Sequence, residues 1–320
     1  MNLATIIDGH DGTAVAVIQD DRRVSYDELR ARVDAMRALL QSMGIGRNDR
    51  VAVACSNDVH FIVATLGALG AGCVVAPINP YAPINELKRK LVPLKPACIV
   101  IGSIARDMLE HPDEFDAPLV DMEVVADSVD SAPPILDVDP DDLAFLLSTS
   151  GVSGAPKIAM LSHDNLAWVQ EQIVGDGPQQ LRSNDVSLAT LPPAHILGLN
   201  LVILSTLRAG GALVLQHRFD VDVSLQLVRE HQVTMLVGAP PMWQRWAAAD
   251  APADAMASVR FARSGAASLP ADVYERIKSH LGVEVRQGYG LTETSAALAS
   301  GRGLDVRVTS VGKPLPGVEM

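Results

Sequence analysis

The sequence predicts an α/β protein with largely parallel sheet covered by helices on its faces, ending in short strands and turns. Three observations lead there. Short apolar runs bounded by Gly and Pro alternate with segments of helical periodicity along most of the chain, the pattern of parallel strands with covering helices. The chain has 320 residues with 48% hydrophobic and 20% charged, enough for a large core and more than one subdomain. Residues 127–142 carry Pro133, Pro134, Pro140 and six aspartates and read as an exposed connector. We therefore expect a first α/β subdomain over 1–140, a second over 141–300, and a β subdomain beginning at 301–320.

Taken in order, 15–18 and 23–24 flank Asp20-Asp21 as a hairpin. Ser25 with Glu28 three residues on marks a helix start, continued by Leu29, Val33, Met36 and Leu40 and stopped by Gly44 and Gly46. Strands follow at 51–54, 73–78 and 98–101, and helices at 61–69 and 86–91. The apolar run 61–78 has the length of a membrane span, but Gly67, Gly70, Gly72 and Pro77 split it into a buried helix and a strand. Past the connector come a strand at 143–147, an apolar run at 158–161, and a helix from Leu166 opened by Ser162 and Asn165. Strands at 186–190, 212–215, 233–237 and 283–286 alternate with an apolar helix through Leu207 and helices at 223–231 and 272–280. The last twenty residues are turn-rich, and no repeat is present.

The net charge of -12 argues against binding nucleic acid or an anionic membrane through a general field. Cys55, Cys73 and Cys98 are odd in number and lack metal-ligand spacing, as expected of buried thiols in a reducing cytoplasm. Charged residues break up the N-terminus, so no signal peptide is expected.

Between two apolar runs stands Ser148-Thr149-Ser150-Gly151-Val152-Ser153-Gly154-Ala155-Pro156-Lys157. It has few bulky side chains, several hydroxyls and a single lysine. Converging amides and hydroxyls with one cation suit a polyphosphate. It is not the common nucleotide loop, which needs Gly-Lys-Ser/Thr. A Ser/Gly-rich surface turn fits the same residues.

Five segments together resemble the adenylate-forming enzymes, the superfamily of acyl-CoA synthetases, firefly luciferase and the adenylation domains of peptide synthetases. Residues 149–157 resemble its Thr-Ser-Gly-Thr-Thr-Gly-x-Pro-Lys-Gly signature. Residues 191–199 resemble its Pro-Leu-Phe-His-x-x-Gly-Leu motif, and 264–269 its Ser-Gly-Gly-Ala-Pro-Leu loop. Tyr289-Gly290-Leu291-Thr292-Glu293-Thr294 matches its motif unchanged, and 310–316 resembles its Ser-Val-Gly-Lys-Pro-Leu-Pro turn. Val152, Ile158, Ala194 and Ser268 depart from the family pattern, and none of these changes removes a charge.

The resemblance implies the fold, two mostly parallel helix-flanked sheets forming a large N-terminal domain with the start of a small β-barrel-like subdomain at the C-terminal end. It also implies the activity, an acid-thiol ligase of the fatty-acid–CoA ligase type that uses ATP, Mg²⁺ and coenzyme A. Lys157, Ser150 and Ser153, the Gly151 and Gly154 amides, and Thr149 would hold the β- and γ-phosphates. Thr292 would donate to the α-phosphate, and Glu293 would hold Mg²⁺. Tyr289 would stack on adenine, with Gln287, Gly288 and Gly290 beside it and Gly265, Ala266 and Ala267 on its other face. His195 would gate the passage between ATP and acid. No acidic residue lies at 188–215, where an amino-acid-activating domain places an aspartate. The apolar segment 237–243, with Ile196 and Leu199, would wall the pocket of a fatty or aryl acid. The expected partners are a small carboxylic acid, ATP and CoA, with no nucleic acid and no transmembrane segment, and a homodimer is left open. An acyl-AMP ligase serving a carrier protein, and a nucleotide- or acyl-binding module without full activity, are the competing readings. Family members continue past the point matching Met320 into a ribose-binding Asp, a hinge and a lysine-bearing domain, so a fragment of low activity is expected.

Overall fold

A computed structural model describes residues 1–149, 157–177, 179–305 and 307–320. Two compact units share the chain. The first holds Met1–Val15, Val24–Ala167 and Pro192–Ala194, and the second holds Ala16–Arg23, Trp168–Leu191 and His195–Met320.

The first unit is built on a six-stranded sheet, ordered Leu119–Asp121, Cys98–Ile101, Arg50–Ala54, Val74–Pro77, Leu143–Thr149, Lys157–Ser162. All neighbours are parallel except the last pair, which is antiparallel with Phe145 opposite Leu161 and Thr149 opposite Lys157. The strands Val74–Pro77 and Cys98–Ile101 are buried on both faces, which is why they read as unbroken apolar runs. Ser25 caps the helix Tyr26–Ser42 by accepting from the Glu28 amide at 3.2 Å, as expected. That helix packs on Val59–Gly70, where a Cβ on Gly67 would lie 2.7 Å from Met36, so the close approach requires glycine. The apolar run 61–78 divides into this helix and the strand Val74–Pro77. No helix of the described residues is long and apolar enough to cross a membrane.

The connector and the domain boundary differ from expectation. Residues 127–142 are largely exposed, yet the Leu136 amide donates to the Gly70 carbonyl at 2.9 Å and Arg37 Nε to the Pro133 carbonyl at 2.7 Å. The segment is a strap of the first unit. The strands that follow it join the first unit's sheet through Val75 opposite Phe145, so the division does not fall at 140/141.

The second unit carries a nine-stranded sheet, ordered Lys313–Pro314, Ala299–Ser300, Val285–Tyr289, Phe261–Ser264, Met235–Gly238, Val186–Ala189, Ala212–Leu215, Val15–Gln19, Arg22–Ser25. Its centre is parallel. The two strands at the C-terminal edge are antiparallel, and among the described residues of 301–320 there is no closed barrel. The expected apolar helix begins as a π-helix, Leu197–Leu204, and continues as Ser205–Ala209. Wide helical turns of this kind are frequent at functional sites.

Candidate active site

In the first unit, Thr149 and Lys157 close the antiparallel pair on either side of the phosphate-loop sequence. Thr149 Oγ1 donates to the Lys157 carbonyl at 3.4 Å, and Lys157 is exposed. Ser150, Gly151, Ser153 and Gly154 lie outside the described residues.

In the second unit, three of the expected segments meet. Parallel pairing sets Ser264 opposite Gln287, which brings the 264–269 loop beside the strand Val285–Tyr289. Gly265 is buried, its amide donates to the Gly238 carbonyl at 3.2 Å, and a Cβ on it would lie 3.3 Å from Leu197, two residues past His195. Ala266 is exposed in the left-handed region (φ +69°), and Ala267 is exposed beside it. Gln287 is buried with both ends of its amide engaged. Its Oε1 accepts from the Leu269 amide at 2.7 Å, and its Nε2 donates to the Val308 carbonyl. Its side chain therefore braces the loop.

Tyr289 is 41% exposed at the end of the strand, so its ring is available for stacking. Leu291 then enters a tight 3₁₀ turn, Thr292–Thr294. Thr294 Oγ1 accepts from the Leu291 amide at 2.9 Å, and the Ala296 amide returns to the Leu291 carbonyl at 3.1 Å. Ser295 and Ala296 follow at φ +55° and +95°. A Cβ on Gly290 would lie 2.1 Å from the Ala296 carbonyl oxygen, so only glycine permits this closure. Glu293 is exposed on the turn and Thr292 half-buried beside it. His195 is exposed just before the π-helix, its carbonyl accepting from the Leu199 amide at 2.9 Å.

Two features escape a reading of motifs. A buried polar chain holds the turn. Arg208 Nη1 donates to Gln170 Oε1 at 3.2 Å, Gln170 Nε2 to Asn200 Oδ1 at 2.9 Å, and Asn200 Nδ2 to the Ser295 carbonyl at 3.0 Å. Gln170 and Asn200 are fully buried. The available signal was a lone amide, Asn200, inside an otherwise apolar helix. The second feature is Arg263, a buried cation whose Nη2 would lie 2.1 Å from a Cβ on Gly288. It stands alone as a charge between Phe261-Ala262 and Ser264-Gly265. Trp243, by contrast, belongs to the core. It is fully buried, it packs on Trp246 with ring centroids 4.8 Å apart, and its Nε1 donates to the Gly238 carbonyl at 3.1 Å.

Among the described residues no three His, Cys, Asp or Glu side chains cluster as a metal site. A single exposed carboxylate beside a hydroxyl on a rigid turn fits Mg²⁺, which takes one or two carboxylates and completes its shell with phosphate oxygens and water.

A model of the AMP-binding enzyme family matches residues 8–320, and the chain belongs to that family of adenylate-forming enzymes. It is 30% identical over 311 residues to 4-coumarate–CoA ligase 3 of Arabidopsis thaliana, covering 92% of this chain and 55% of that protein. It is 32% identical over 293 residues to feruloyl-CoA synthase of an Amycolatopsis species, covering 88% and 57%. The fold matches the ATP-bound crystal structure of MatB from Rhodopseudomonas palustris with a TM-score of 0.87 at 28% identity, covering 99% of this chain and 65% of that one. The chain thus spans little more than half the length of the curated relatives it matches.

Proposed function

We propose that the chain supplies the nucleotide- and acid-binding part of an acid–CoA ligase. A carboxylate oxygen attacks the α-phosphorus of ATP, the bond to the β-phosphate oxygen breaks, and pyrophosphate leaves. The thiol of CoA then displaces AMP from the acyl-adenylate to give the thioester. Charge grows on phosphate oxygens in the first step, so catalysis consists of positioning and charge stabilisation. Mg²⁺ would neutralise phosphate charge and orient the leaving pyrophosphate.

The observation that carries this reading is the locked turn Thr292–Thr294, which fixes Thr292 and Glu293 together at the end of a parallel strand. Ligands bind at the carboxyl ends of strands in open parallel sheets. In this reading Glu293 holds the metal, Thr292 donates to the α-phosphate and Tyr289 stacks on adenine. Gly288, Gly290 and Gly265 let the nucleotide approach, with Ala266 and Ala267 beside it, while Gln287 braces the loop. His195 gates the acid. Lys157, with Thr149, Ser150, Gly151, Ser153 and Gly154, is assigned to the β- and γ-phosphates on its residue types. An apolar wall drawn from Val237, Ile196 and Leu199, all buried, is assigned to the carbon skeleton of the acid. A reducing compartment, taken as the cytoplasm, is in keeping with the buried free thiols Cys55, Cys73 and Cys98.

Isothermal titration of ATP into this chain, with and without Mg²⁺, tests the reading. Binding that depends on Mg²⁺ and weakens about tenfold or more in Glu293→Gln, about 1.4 kcal/mol, is expected. Binding indifferent to both the metal and the substitution would sink the assignment.

A further inference from the structure

Arg263 is a cation that an apolar acid pocket does not need. It sits in the interior strand Phe261–Ser264 and is 6% exposed. Among the described residues its guanidinium makes a long bond, 3.4 Å, from Nη2 to the Ala299 carbonyl, and no carboxylate pairs with it. The charge that acts on it is Arg302, of the same sign. Burial first, and then that arginine, push its pKa down to about 10. Leaving a buried charge without a counter-ion costs several kcal/mol. A residue type that rarely survives in a core unpaired therefore calls for a partner that is not part of this unit.

Its surroundings say where that partner comes from. Parallel register puts Arg263 beside Val237 on one side and Arg286 on the other. Val237 is in the wall expected to line the acid pocket. The guanidinium lies against Gly288, where any larger residue would displace it, one position before Tyr289. Arg263 also lines a small cavity with Arg302, Ser300 and Gln172, and no acidic side chain contributes to that lining. The cavity holds about 10 Å³, room for about one water molecule.

We propose that Arg263 recognises a second carboxylate on the acid being activated, so that the substrate is a dicarboxylic acid and not a simple fatty or aryl acid. A planar guanidinium takes a carboxylate through two parallel hydrogen bonds. One carboxylate of the acid reacts with ATP while the other neutralises Arg263. This inference rests on the acid-activating reading of the site.

The test uses this chain with Mg²⁺ and a non-hydrolysable ATP analogue, titrated calorimetrically with malonate, succinate and glutarate against propionate, butyrate and pentanoate. The expected result is about tenfold or stronger preference for a dicarboxylate over the monocarboxylate of equal length. Arg263→Met should abolish that preference and leave the melting temperature equal or higher, because an unpaired buried charge is gone. Arg263→Lys should keep part of the preference. Equal binding of the two acid series by the parent chain overturns the proposal. So does an Arg263→Met protein that melts lower and keeps the preference, the signature of a structural arginine. Nucleotide binding without acid discrimination defeats only this inference, whereas no nucleotide binding at all defeats the acid-activating reading with it.

Discussion

The Leu3 amide donates to Nδ1 of His163 across 3.1 Å, in a place where the imidazole is fully buried. Burial, aided by the N-terminal amine, lowers its pKa from 6.5 to about 4 against a smaller opposing pull from Asp142. A depressed histidine stabilises the fold while it is neutral. That stability is whole above pH 6.5 and is lost as pH falls through about 4, because the unfolded chain takes up the proton first. The gap is worth about 3 kcal/mol. His163→Asn keeps an acceptor for Leu3 without the titration. Its unfolding free energy, followed by urea denaturation between pH 7 and pH 4, should fall by about 3 kcal/mol less than the parent's; an identical pH profile would show that another group carries the loss. His163 was invisible as a special residue in the sequence, since nothing local distinguishes it from a polar residue at a helix start. Glu293 and Tyr289, in contrast, could be singled out as candidates because their motif is contiguous and needs no tertiary knowledge.

At the scale of elements, the π-helix Leu197–Leu204 matters for what it anchors. Asn200 bridges Gln170 and the Ser295 carbonyl from a wholly buried position, and Ser295 is the residue that leaves the Thr292–Thr294 turn in a left-handed conformation. The bridge therefore anchors the backbone on which the turn carrying Thr292 and Glu293 ends. Asn200→Ala would strip partners from one buried amide and one carbonyl, at about 1–3 kcal/mol. A lowered melting temperature together with weakened Mg²⁺-dependent ATP binding is expected, while Asn200→Ala with parental affinity would show that the turn holds itself. Strands and most helices were readable from periodicity and caps, as Ser25 with Glu28 illustrates. The π-helix was not, because a uniformly apolar run has no periodicity to reveal its pitch. Nor was the strand Leu119–Asp121, three residues long and bounded by 3₁₀ turns.

For the whole molecule, the alternation of strands and helices was enough to foresee largely parallel sheet covered by helices, and the family resemblance to expect two sheets, but not which strands each would recruit. Composition placed a boundary after the aspartate- and proline-rich strap, since such segments are usually exposed linkers. Backbone pairing overrides that signal. Phe145 is fully buried opposite Val75 and Leu161, and burying a side chain of that size is worth about 1.5–3 kcal/mol. Ala144, Leu147, Leu161 and Leu166 are buried in the same stretch. A chain ended at residue 140 would lose both strands and the His163–Leu3 bond, and would leave Val74–Pro77 as an open, apolar sheet edge that invites association. Residues 1–140 alone are therefore expected to lack a cooperative thermal transition by circular dichroism and to aggregate, whereas residues 1–167, which restore the strands Leu143–Thr149 and Lys157–Ser162, should regain it. Cooperative melting and dispersed amide resonances from residues 1–140 would show that the strap is a true boundary and that the pairing of Val75 with Phe145 adds little to the first unit.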